Sequence, residues 1–70
     1  MSKYRAEIKA LSSSTVGAVI IRIADGETCG WELFSSFLNT HKSLENNFKR
    51  AHQWANKRIE ILERYEEAQQ

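Results

Sequence analysis

The sequence contains no proline, three glycines and a single cysteine, Cys29. One cysteine cannot form a disulfide within the chain, and no Cys/His spacing is typical of a structural zinc site. A chain of 70 residues buries only about 60% of the surface that its unfolded form exposes, so its stability is marginal. Self-association is therefore the remaining source of stability that we expect.

The chain also lacks a long hydrophobic run. The longest, residues 18–21, stops at Arg22, whereas a transmembrane helix needs about 20 apolar residues. The first five residues, MSKYR, lack the apolar stretch of a secretory signal. A lone cysteine is typical of a reducing compartment. We therefore predict a cytoplasmic protein without a membrane segment.

Residues suited to catalysis or metal binding are few and isolated. Asp25 is the only aspartate, and the glycines form neither a P-loop nor a dinucleotide fingerprint. His41 and His52, if one helix carries both, lie about 16 Å apart, which is too far to share an ion. The neighbours of Cys29 supply no base that would activate its thiol. We predict no enzyme activity, no metal site and no cofactor.

The N-terminal third has the pattern of a β-hairpin. Apolar and polar residues alternate from Tyr4 to Leu11, and residues 16–24 form a second run rich in β-branched side chains, with turn residues between. We predict antiparallel strands at about 3–11 and 16–24. The interpretation places Val19, Ile21 and Ile23 on the buried face of the second strand.

Residues 28–38 fit two structures. Cys29, Trp31 and Leu33 alternate as in a third strand, whereas Trp31, Phe34 and Leu38 have the i, i+3 and i+7 spacing of a helix. We favour a short helix at about 31–38 and keep the strand as the alternative. The fold class predicted for residues 1–70, a single domain, is α+β, with the hairpin followed by two helices.

The most secure helix is the C-terminal one, at about 42–66. This segment has no glycine or proline and is rich in strong helix formers. At 100° per residue, one apolar stripe and a second ridge beside it together span about 160°, wider than the ~100° that one surface covers. The stripe contains Leu44, Phe48, Ala51, Ala55, Ile59 and Leu62, and the ridge contains Trp54, Ile61 and Tyr65.

This excess of apolar surface leads to two alternatives. Trp54, Ile61 and Tyr65 could form the self-interface of a homodimer, or the short helix at 31–38 could cover them within one chain. We favour the homodimer, with closed two-fold symmetry as the commonest arrangement. On the hairpin, we expect a mixed surface that contacts a partner protein. Its candidate contacts are Arg5, Glu7, Lys9, Ile20 and Arg22.

The formal net charge of +1 gives no global attraction to nucleic acid, but the long helix has a local basic excess. The candidate phosphate contacts are Lys42, Lys49, Arg50, Lys57 and Arg64. A solvated face with a Glu60–Arg64 pair explains them as well. The prediction is a small non-enzymatic protein-interaction module, a homodimeric modulator or inhibitor of a larger protein. The alternative is a nucleic-acid-binding regulator that uses the basic helix face.

Overall fold

Three strands precede one helix in the computed structural model of the chain, which describes the backbone of residues 3–36 and 41–69 and the helix side chains of residues 42–65. The elements are β1 (Tyr4–Ala10), β2 (Thr15–Arg22), β3 (Thr28–Ser35) and α1 (His41–Gln69). The strands form one antiparallel sheet in the order β1-β2-β3. The predicted α+β class is confirmed, but the described structure has three strands where we predicted two and one helix where we predicted two.

The short helix predicted at 31–38 is wrong. Residues 31–35 belong to β3, and positions 37 and 38 lie outside the described residues. The physical reason lies in pairing with β2, because β3 satisfies the backbone N–H and C=O groups along the edge of β2 that β1 leaves unpaired. Threonine, cysteine, tryptophan and phenylalanine in this segment also suit a strand better than a helix.

A tight turn at Asp25-Gly26 makes β3 antiparallel to β2. Gly26 has a φ of 73°, a left-handed conformation that glycine adopts without steric cost. The backbone N–H of Gly26 donates to the Arg22 carbonyl at 2.8 Å, and the Arg22 N–H donates to the Glu27 carbonyl at 2.9 Å. The turn signal read from the sequence therefore closes a second hairpin.

The helix α1 covers one face of the sheet and lies mainly over β2. The predicted stripe is confirmed as its packing face, because all six stripe residues are buried or half-buried. Ala18, Ala51 and Ala55 lie at the centre of this contact and are almost completely enclosed. Their small side chains let the helix approach the sheet closely, and Val16, Ile20 and Phe34 fill the core around them.

The predicted burial of β2 is wrong by one residue. Ile20 is 0% exposed and faces α1, whereas Val19 and Ile21 pair with Glu7 and Arg5 on the other side of the sheet. Both faces of β2 are apolar, so its sequence alone does not define which face is covered. The register with β1 decides it, because Arg5, Glu7 and Lys9 lie on the same face as Val19 and Ile21 and would be costly to bury under a helix.

Asn47 is a polar residue in this core and is only 1% exposed. Its side-chain amide donates to the Ser14 carbonyl at 2.9 Å and to the Ser36 hydroxyl at 3.0 Å. Its amide oxygen accepts a hydrogen bond from Arg50 at 3.3 Å. A buried amide must be hydrogen-bonded, so Asn47 fixes the first turns of α1 over the ends of β2 and β3.

The described part of the chain contains no helix that is long and apolar enough to cross a membrane.

Candidate functional site

The face of the sheet away from α1, the open face, is not covered by any other described element. Trp31 is 65% exposed and Leu33 is 51% exposed, although both lie in the middle of β3. Val19 is opposite Trp31, and Gly17 is opposite Leu33. Large apolar side chains are thus held at the surface by a rigid sheet, and contiguous apolar patches of this kind mark interaction sites.

A shallow groove of about 460 Å³ runs across the open face. Its floor is Gly17, where an added Cβ would come within 2.9 Å of the Leu11 side chain and 3.6 Å of the Leu33 side chain. The missing side chain therefore creates the depression between the two leucines. The groove can receive an apolar side chain from another molecule.

The β1 side of the open face is charged. Arg5 and Glu7 form an exposed ion pair at 2.5 Å, and Lys9 is opposite Gly17 at the edge of the groove. An exposed pair of this kind contributes little stability. Arg5, Glu7 and Lys9 therefore give the groove a polar border along β1, in contrast to the apolar border along β3.

The outer edge of β3 carries backbone groups that no described strand pairs. The Leu33 N–H points away from β2 and donates to the Glu32 carboxylate of its own strand at 3.1 Å. In an antiparallel pair the N–H direction alternates along the strand. The N–H groups of Trp31 and Ser35 therefore point outward as well. We call these three residues the free edge of β3.

The predicted self-interface residues are only partly brought together. Trp54 is half-buried and packs edge to face on Phe34, with ring centroids 6.3 Å apart. Ile61 and Tyr65 are 49% and 62% exposed. The strand β3 thus shields Trp54, whereas Ile61 and Tyr65 remain exposed, although Leu62 between them packs against the core.

The predicted basic residues Lys42, Lys49, Arg50, Lys57 and Arg64 are all exposed along α1. Two of them have a partner within the chain. Arg64 pairs with Glu60 at 2.6 Å, and the guanidinium carbon of Arg50 lies 5.3 Å from the centroid of the Phe34 ring at the β3 side of the helix.

One ion pair stands out among the titratable groups. Arg22 donates to both carboxylate oxygens of Asp25, at distances between 2.7 and 3.1 Å. These hydrogen bonds lower the pKa of Asp25, and the Asp25 carboxylate raises the pKa of Arg22. Arg22 is thus held at the end of β2 and stabilises the turn there.

From the sequence, we considered and rejected Cys29 as a nucleophile and the histidines as metal ligands. Within residues 3–36 and 41–69 there is no group of three metal-ligating side chains. Cys29 is half-buried, and its thiol donates to the Glu27 carbonyl at 3.7 Å. His52 is exposed, and the side chain of His41 lies outside the described residues.

The structure places three of the five predicted hairpin contacts on the open face, namely Arg5, Glu7 and Lys9. Ile20 is enclosed in the core and offers no contact surface. The sequence interpretation missed Leu11, Gly17, Trp31 and Leu33 as groove residues. The alternation of Cys29, Trp31 and Leu33 was the available signal, because as a strand it puts Trp31 and Leu33 on one face.

Comparison with known proteins found no family model, no curated protein and no solved structure that matches this chain.

Proposed function

We propose that the chain is a small non-enzymatic protein-interaction module that acts as a homodimer and modulates or inhibits a larger protein. The observation that carries the proposal is the open face, where Trp31 and Leu33 are exposed beside a groove. Exposing such side chains costs solvation free energy, and a binding partner would recover it. The lone cysteine supports a cytoplasmic location for this activity.

The groove resembles a small version of the pockets that receive interface anchors. Such anchors are aromatic or aliphatic side chains that insert into a desolvated pocket, surrounded by polar groups. The leucines and Gly17 supply the apolar pocket, and Arg5, Glu7 and Lys9 supply a mixed polar border. We therefore expect the partner to present an apolar side chain flanked by charged residues of both signs.

The test is capture of the partner from the native host, with full-length wild type and two matched variants compared by mass spectrometry. Lys9→Glu/Leu11→Glu alters the border and wall of the groove at its β1 side. Lys49→Glu/Lys57→Glu makes the same number of changes on the outer side of α1. We expect the first variant to lose the protein that wild type retains, and the second to keep it.

Binding of nucleic acid remains the second candidate, and the exposure of Lys42, Lys49 and Lys57 along one side of α1 favours it. Contacts between these residues and phosphates would weaken steeply with added salt. In a mobility-shift titration at low salt, retardation of wild type that is lost in Lys49→Glu/Lys57→Glu would support this role. Absence of retardation at low salt would exclude it.

A further inference from the structure

We propose that a second copy of the chain docks on the free edge of β3, so that two sheets join into one six-stranded antiparallel sheet with both helices on the same side. This inference rests on the homodimer of the proposed function and specifies how that homodimer is built. Trp31, Leu33 and Ser35 present their backbone N–H and C=O groups at this edge, ready to pair with an added strand.

The two edges of the sheet differ in how well they would accept a strand. Charged side chains along an edge strand discourage pairing with another chain. The strand β1 carries three charged residues, Arg5, Glu7 and Lys9, whereas β3 carries one, Glu32. The edge at β3 is therefore the one that remains open to association.

The outward groups of β3 restrict the register of a symmetric pair. A two-fold axis at Leu33 pairs Leu33 with its copy and Trp31 with Ser35, so that all the outward groups of this stretch are used. An axis at Glu32 would place two like charges opposite each other, which is unfavourable. An axis at Trp31 would pair Leu33 with Cys29, and Cys29 lies at an irregularity where the register between β2 and β3 shifts. The Leu33-centred register is favoured.

This register also makes the charges complementary. Glu32 then lies directly opposite Phe34 of the second copy, in a position without backbone hydrogen bonds, where side chains are closest. The guanidinium of Arg50 lies on that Phe34 ring. Each Glu32 carboxylate would therefore meet Arg50 of the other copy, which gives two symmetric ion pairs on the helix side of the joined sheet.

The Glu32 carboxylate has a different partner in the single chain. There it accepts the hydrogen bond of the Leu33 N–H at 3.1 Å and so occupies the edge. In the dimer the carbonyl of the second Leu33 takes over this N–H, and Glu32 is released toward Arg50. The Leu33 N–H and the Glu32 carboxylate thus each have a partner in both states.

The helices support the same arrangement. Each α1 lies over its own β2, and the two β2 strands of the joined sheet would be about 14 Å apart, which is three strand spacings of ~4.8 Å. Helices in direct contact are ~8–10 Å apart, so long side chains must fill the remaining gap. Arg50, Trp54 and Arg58 lie on the β3 side of α1 and have the required length.

The first test is a charge exchange followed by sedimentation across a dilution series. We expect Glu32→Arg alone and Arg50→Glu alone each to raise the dimer Kd by at least ~10-fold, because each puts like charges together across the axis. The double variant restores the opposite pairing and should return to near the wild-type Kd. Additive weakening in the double variant would overturn the proposal. Circular dichroism checks that each chain is folded.

The second test fixes the register by a crosslink. In a Cys29→Ser background, Leu33→Cys places two thiols across the axis, where Cα atoms of a hydrogen-bonded pair lie ~5.5 Å apart, within disulfide range. We expect rapid formation of a disulfide-linked dimer under mild oxidation. The control Lys9→Cys is also exposed on the open face but lies two strands from the axis. Equal crosslinking of both variants, or of neither, would overturn the proposal.

A third variant separates failure of this inference from failure of the proposed homodimer. Ile61 lies eleven residues after Arg50, about 16 Å along the helix, so Ile61→Lys should leave the edge dimer intact. A dimer that is lost in Ile61→Lys but unaffected by the charge exchange would place the interface on the helix ridge instead. A wild-type chain that is monomeric at every concentration would overturn both. Binding of the partner protein to the groove is measured separately, by the capture experiment with the Lys9→Glu/Leu11→Glu variant.

Discussion

The two faces of the sheet are formed by the same three strands, but α1 buries one face and the other face is exposed to solvent. On the covered face, Val16, Ala18 and Ile20 are fully enclosed beneath α1. On the open face, Trp31 and Leu33 project into solvent beside the groove. The difference shows that an apolar residue in this chain stabilises the fold or is available for binding according to its position in the strand alternation.

The largest effect is expected for substitutions that compare equal losses of volume on the two faces. Ile20→Ala should lower the free energy of unfolding by about 3 kcal/mol, because it leaves a cavity under α1. Leu33→Ala, on the open face, should change it by less than about 1 kcal/mol. Urea unfolding at a concentration where the chain is monomeric measures both. Equal losses would contradict the division between the faces.

A smaller effect is expected at the polar anchor of the covered face. Asn47→Ala should lower the free energy of unfolding by about 1–3 kcal/mol, because the Ser14 carbonyl and the Ser36 hydroxyl lose their buried donor. The neighbouring Asn46 is exposed, so Asn46→Ala is the matched control. It should be neutral or slightly stabilising, since alanine favours a helix. If the two variants unfolded at the same temperature, the result would contradict the role assigned to Asn47.

The smallest effect is a pH dependence at the turn between β2 and β3, outside both faces. The folded state lowers the pKa of Asp25 below its ordinary value of 3.8, through the hydrogen bonds from Arg22. The ion pair therefore stabilises the fold above that value, and the contribution disappears as the pH falls through the lowered pKa. Asp25→Asn should be slightly less stable than wild type at pH 7 and equal to it in strong acid. A difference between the two chains that does not shrink as the pH falls below 3.8 would contradict this origin.

The sequence was informative where one periodicity dominated. The helix stripe from Leu44 to Leu62 was predicted residue by residue, since no competing pattern exists in a segment without glycine or proline. The alternation of β1 was equally clear. These two elements account for the α+β class and for the covered face.

The sequence was misleading where two patterns coincided. Trp31, Phe34 and Leu38 satisfy a helical spacing while Cys29, Trp31 and Leu33 satisfy a strand, and only pairing with β2 decides between them. The burial of β2 was undetermined for a similar reason, since both its faces are apolar. The role of Asn47 had no local signal, because its partners Ser14 and Ser36 lie 33 and 11 residues away.

The alternation of β3 has one further consequence. The direction of the backbone N–H and the direction of the side chain both alternate along a strand. Trp31, Leu33 and Ser35 therefore direct their N–H groups to the free edge of β3 and their side chains to the open face. A strand added at the free edge of β3 would therefore extend the open face in the same plane. Every second side chain of the added strand would lie on that face, next to Trp31. Deletion of one residue from β3 would reverse both properties together.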